Sequence, residues 1–153
     1  MVKNEYYGYF ANKMLEDLKN EKKHMLFYLT AASTVSGMHR QELKELFLEE
    51  AQAEMKHVIE FQDALLGLGV ELLDTIHIKE NNDYLVSYEP KVLLEFALEM
   101  EKEVVKNYAE RLKNDVPTLD DADKAWMEIF YEKQIEKSRE DVDNYRMILK
   151  GLW

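Results

Sequence analysis

Apolar residues recur along this chain at spacings of three, four and seven over four long stretches, the period of one face of an α-helix. In the first, Leu18, Met25, Leu29 and Ala32 interleave with Met14, Glu21, Tyr28 and Val35. In the second, Phe47, Glu54, Phe61 and Leu68 run beside Leu43, Glu50, His57 and Ala64. The third offers Leu94, Leu98, Glu101, Val105, Tyr108 and Leu112, and the fourth Met127, Phe130, Gln134, Asp141, Tyr145, Ile148 and Leu152. Punctuation sets the limits. Helix one is expected from about Glu5 to Ser36, broken at Ser36-Gly37, and helix two from about Gln41 to Leu68, ended by Gly67 and Gly69. Helix three is expected from about Pro90, whose fixed φ suits a first turn, to Asn114, and helix four from about Asp120 to Lys150.

Short links make helices one and two antiparallel neighbours, and likewise three and four. The 20 residues from Val70 to Glu89 form the one long connection, holding Thr75-Ile76-His77-Ile78 and the polar run Glu80 to Asp83. The expectation is all-α: a single domain over residues 1–153, folded as an antiparallel four-helix bundle with one long crossover between helices two and three.

In such a bundle the inward stripe should be apolar, and the exceptions carry the signal. Glu21, Glu50, Glu54, His57, Glu101, Gln134 and Asp141 all fall on it, whereas Glu99 and Glu103 fall on a polar face. Buried carboxylates cost several kcal/mol each unless a proton, a cation or a metal neutralises them. No lysine or arginine stands at matching depth on three of the four helices. Glu54 and His57, spaced i, i+3, leave one face of one helical turn and can share a metal. Oxygen ligands with one imidazole suit iron or manganese, and zinc less specifically.

Composition narrows the field. The chain has 153 residues, no cysteine, and 31 acidic against 20 basic residues, for a formal charge of −11. Thiolate metal sites, disulfides and a cysteine nucleophile are excluded, and the acidic field repels nucleic acid and anionic lipid while attracting cations. The opening MVKNEYYGYF lacks the apolar run of a signal peptide, and no stretch suits a membrane span, so a cytoplasmic protein without a membrane partner is expected.

From Glu21 to Glu54 is 33 residues, as it is from Glu101 to Gln134; Tyr28 and Tyr108 follow Glu21 and Glu101 by seven. The two hairpins thus read as a faint internal repeat, suited to two metals bridged by one carboxylate. Glu21 and Tyr28 with Glu54-Met55-Lys56-His57, the run Ala97 to Val104, and Glu132-Lys133-Gln134 resemble the ferritin-like superfamily, within it ferritins and bacterioferritins, over almost the whole chain. The resemblance implies a ferroxidase centre with two irons per chain, manganese or zinc being possible substitutes. Glu21 and His57 would hold one iron, Glu54 would bridge, Glu101 and Gln134 would hold the other, and Tyr28 would donate a hydrogen bond behind them. It further implies oxidation of Fe(II) by oxygen or peroxide, storage or detoxification of the ferric product, and a homo-oligomer of at least two chains.

Departures from the family pattern matter. Bacterioferritins carry a second Glu-x-x-His on helix four, where Lys137 falls here, so the non-haem pattern fits better. Another register of helix four puts Asp141 rather than Gln134 in the ligand position, and both stay open. The methionine of Glu-Met-Lys-His binds haem at a dimer interface in bacterioferritins; Met55 is read here as packing, with haem not expected. Glu50 is read as a partner of lysine or an outer group, Tyr28 and Tyr108 as core aromatics beside the glutamates, and His24, His39 and His77 as residues without a ligand pattern. The chain stops just after helix four, so a 24-subunit cage closed by a fifth helix is not expected. The acidic crossover residues are joined by Ile76, Ile78, Tyr84, Leu85, Val86 and Tyr88, an apolar set suited to a subunit contact. Besides a ferroxidase, two other readings fit the sequence: a binding or interaction module with an incomplete metal site, and a di-iron or di-manganese oxidase acting on another substrate.

Overall fold

The structure, a computed structural model, describes residues 7–72 and 85–152. Four long helices account for nearly all of them: α1 (Gly8–Thr34), α2 (Arg40–Gly67), α3 (Pro90–Glu110) and α4 (Asp121–Leu152). Each lies within a few residues of its expected limits. Among the described residues no helix is long and apolar enough to cross a membrane. The chain divides into two compact units, Met1–Tyr88 and Glu89–Trp153.

In the first unit α1 and α2 pack together as a hairpin across a short link. Gly37 turns that link with a φ of 94°, a left-handed conformation that costs glycine little. The last carbonyls of α1, left without helical partners, are met by the side chain of Arg40, which donates to Val35 O and, at 3.3 Å, to Ser33 O. A guanidinium there also complements the negative end of the α1 dipole. The chain returns to this link at Tyr88, whose carbonyl accepts from Ser36 N at 3.0 Å. At the end of α2, Gly69 (φ 82°) completes a Schellman cap: Gly69 N donates to Leu66 O at 2.9 Å and Val70 N to Leu65 O at 3.0 Å.

In the second unit α3 begins with Pro90 in its first turn, as its missing N–H permits. It then widens into a π-helical turn (Arg111–Asp115) and a short 3-10 turn (Val116–Thr118) before α4. The π turn is held by Arg111 Nη1 donating to Asp115 Oδ2 at 2.7 Å, a buried ion pair. Thr118 Oγ1 donates to Asp115 O at 2.6 Å and closes the corner. Asp121 and Asp123 lie in the first turn of α4 and Lys150 in its last, both favourable to the helix dipole.

Burial follows a seven-residue rhythm. Tyr7, Met14, Glu21, Tyr28 and Val35 are all buried, as are Phe47, Glu54, Phe61 and Leu68; Leu94, Glu101, Tyr108 and Asp115; and Met127, Gln134 and Asp141. The expected core differs at its edges. Leu29 is 44% exposed. It lies about 80° round the axis from Glu21, at about 100° per residue, and so falls on the rim of the stripe. Leu98, Val105 and Leu112 are half-buried, while Leu93, Ala97, Met100 and Val104 are buried, so the stripe of α3 is centred slightly to the other side of Glu101. Phe130 is likewise half-buried, with Tyr131 taking the core position. Of the crossover, His77 and the segments Thr75 to Ile78 and Glu80 to Tyr84 lie outside the described residues; Leu85 is half-buried, and Val86 and Tyr88 are exposed.

The glycines give a direct check on this local chemistry. Gly69→Ala is expected to destabilise the protein by about 1 to 2 kcal/mol in denaturant unfolding, because an alanine at that φ pays the left-handed penalty. Gly8→Ala, a helical position with nothing within 4 Å of the added methyl, is expected to lose nothing and to gain up to about 1 kcal/mol.

Candidate metal centre

Three groups meet inside the first unit. Glu21 comes from the middle of α1, where the stripe Met14, Leu18, Glu21, Tyr28 leaves it on the buried side of a segment rich in helix formers. Glu54 and His57 come from one turn of α2. His57 Nδ1 stands 3.5 Å from Glu21 Oε2 and 3.4 Å from Glu54 Oε2, and one ligand atom from each of the three residues lies within 4.8 Å of the others. The side chains of Glu21, Glu54 and His57 are only 2%, 3% and 11% exposed.

Two carboxylates and an imidazole aimed at one point suit a metal of borderline hardness, such as iron, manganese or zinc. Nδ1 of His57 faces both carboxylates at 3.5 and 3.4 Å, so the three groups converge on one point. In the same unit the buried Tyr28 ring packs with other aromatics, its centroid 5.3 Å from that of Phe27 and 6.2 Å from that of Phe47.

Burial pushes the carboxyl of Glu21 up, but hydrogen bonding with Glu54 and His57, aided by the charge of His24 and His57, outweighs it and lowers the pKa from 4.5 to about 2. His24 is a residue that sequence reasoning passed over. Glu21-Lys22-Lys23-His24 has the same i, i+3 spacing as Glu54-Met55-Lys56-His57, and that repetition was the available signal. Asp17, one turn before Glu21, is also buried and equally unanticipated.

The second unit gathers its own acids. Glu101 on α3 and Asp141 on α4 each offer a carboxylate oxygen, and these atoms lie within 4.8 Å of each other. Gln134 is buried on α4 two turns before Asp141. Lys137, at the position where a second histidine was looked for, sends Nζ to Asp141 Oδ1 at 2.6 Å. Tyr108 packs edge-on against Tyr131, with centroids 5.2 Å apart. Glu50 is buried rather than solvated, and His39 is exposed. Met55 is 52% exposed in the single chain.

The acid stability of the metal-free protein reports on Glu21. A carboxyl held below its unfolded value stabilises the fold above that value, and the contribution is lost as pH falls from 4.5 toward about 2. In EDTA, the melting temperature of Glu21→Gln is expected to fall less across this window than that of the wild type, as followed by circular dichroism. Parallel curves would show that Glu21 is not held in its ionised form.

Comparison with known proteins places the chain. Residues 11–151 match the ferritin-like domain family. No curated protein matches. Among solved structures, a ferritin-like, diiron-carboxylate protein from Bacillus anthracis str. Ames is similar with a TM-score of 0.78 and 23% identity, over 95% of this chain and 99% of that one. A dodecameric thioferritin, the bacterioferritin-related protein from Bacteroides fragilis, is similar with a TM-score of 0.70 and 19% identity, over 93% of this chain and 86% of that one. The all-α four-helix-bundle class expected from the sequence is the one found, and the chain belongs to the ferritin-like domain family.

Proposed function

We propose that this protein binds Fe(II) as its substrate at buried carboxylates and His57, oxidises it with oxygen or peroxide, and so stores or detoxifies iron. The observation that carries the reading is the convergence of Glu21, Glu54 and His57 within 4.8 Å, in a site shielded from solvent. Membership of the ferritin-like family and the likeness to a diiron-carboxylate protein support it. In this reading Glu21 and His57 hold one iron, Glu54 is shared, and Glu101 with Asp141 or Gln134 holds the second. Two Fe(II) ions give up two electrons, enough to take one dioxygen and two protons to hydrogen peroxide. The burial of Glu21, Glu54 and His57 keeps bulk water from the carboxylates.

A second reading has one observation in its favour. Lys137 already neutralises Asp141, as it would in a binding module whose second half-site is incomplete. Anaerobic Fe(II) titration followed by oxygen pulses separates the two. Two ions per chain with a fast optical change support the oxidase, whereas a single air-inert ion supports the module. The variant His57→Ala is expected to slow the oxidation at least about tenfold while helicity by circular dichroism is kept, since removing one ligand of a tight metal site costs that much or more. An unchanged rate would remove His57 from the site.

We also propose a homo-oligomer of at least two chains. The similar bacterioferritin-related protein is a dodecamer, and an apolar series on α2, Leu48, Met55, Ile59 and Leu66, is exposed in the single chain. Light scattering is expected to give a multiple of the 18.2 kDa chain mass; a monomer at micromolar concentration would contradict it.

A further inference from the structure

Among the described residues of the second unit, two ion pairs on helical turns engage a buried aspartate, and they differ in kind. Arg111 and Asp115 are both enclosed, with side chains 11% and 6% exposed, and together they fasten the corner after α3. Lys137 and Asp141 are unequal: the aspartate is 3% exposed and the lysine 33%. The lysine stem thus starts near the surface and carries its ammonium inward to a carboxylate that solvent cannot reach. Helix geometry does not favour this order, because an acid placed four residues before a base pairs better than the reverse. The pull comes from the carboxylate, which needs a counter-ion where it is buried.

We infer that Lys137 is a displaceable internal counter-ion, occupying the α4 half-site in place of a divalent metal and setting how tightly that half-site binds one. The inference rests on the proposed function, since it concerns the second of its two metal positions. Glu101 and Asp141 bring two carboxylates within 4.8 Å, and the ammonium of Lys137 meets Asp141. A divalent ion carries more charge to such a pair of oxygens than one ammonium does. A metal that takes Oδ1 of Asp141 competes directly with the ammonium, which stands 2.6 Å from that oxygen and repels a second cation there. Entry of a metal at that oxygen therefore requires Lys137 to leave, and its long flexible stem, already partly in solvent, lets the ammonium swing out without disturbing α4. Ion binding at this position costs the breaking of an internal pair, so it is weaker and more readily reversed than at Glu21, Glu54 and His57. That asymmetry suits iron that must move on after oxidation. Lys137 acts through Asp141 and is a positioning residue.

Anaerobic calorimetric titration with Mn(II), which needs no oxidation to be read, tests the inference on the full chain. Wild type is expected to take one ion tightly and a second weakly. Lys137→Met, which keeps the stem and removes the charge, is expected to strengthen the second step about tenfold or more and to lower the melting temperature in EDTA. Lys137→Arg is expected to leave the second step weak. A readout on the wild type needs no variant: mild amine acetylation, mapped by peptide mass spectrometry, is expected to label Lys137 several-fold faster in saturating Mn(II) than in EDTA, with Lys113 unchanged. A tight first ion with an unmoved second step in Lys137→Met, or Lys137 labelling that ignores Mn(II), would overturn the inference alone. Absence of the tight ion from wild type would overturn the proposed function and this inference with it.

Discussion

Carboxylates placed on the buried side of long helices are the constraint on which the rest depends. An ionised acid removed from water costs several kcal/mol unless something of opposite charge replaces the water. Glu21, Glu54, Glu101 and Asp141 are each 3% exposed or less, so each needs a neutraliser that the fold itself must supply or admit. The helices meet the mechanical part of this demand. Their seven-residue stripes of Phe, Tyr, Leu and Met exclude water and fix the backbone, while the acids interrupt those stripes at single positions.

The two units answer the demand with different chemistry. In the first, the imidazole of His57 lies against two carboxylates, 3.5 Å from Glu21 Oε2 and 3.4 Å from Glu54 Oε2. In the second, the neutraliser of Asp141 is covalently attached, the ammonium of Lys137. Arg111 and Asp115 show what a purely structural pair looks like in the same unit: enclosed on both sides and built into a turn. Buried charge is costly in all three places, and each place meets the cost with a different partner.

Much of this was legible in the chain. The limits of the helices follow from Gly37, Gly69 and Pro90, whose backbone preferences act locally and need no tertiary information. Glu21, Glu54 and Glu101 could be placed inside because their heptad partners are large and apolar. Leu29 and Leu98 could not be placed as surely, since residues on the rim of a stripe are decided by neighbouring packing and not by period. The π turn at Arg111–Asp115 was equally hidden: one extra residue in a turn leaves the hydrophobic pattern before it intact. The direction taken by Lys137 is a rotamer, and four flexible bonds leave no trace in a sequence. Both candidate ligands on helix four are buried: Asp141 brings a carboxylate oxygen within 4.8 Å of one from Glu101, and Gln134 lies two turns before it on α4.

The central claim is that Glu21, Glu54 and His57 jointly hold a metal ion at the point where they converge. A crystal soaked anaerobically in Fe(II), with diffraction recorded on either side of the iron edge, tests it most directly. The account predicts an anomalous peak coordinated by one carboxylate oxygen from each glutamate and by Nδ1 of His57 at about 2.0 to 2.2 Å, by analogy with other first-row divalent ions. Iron density elsewhere, with His57 still lying between the two carboxylates, would contradict it.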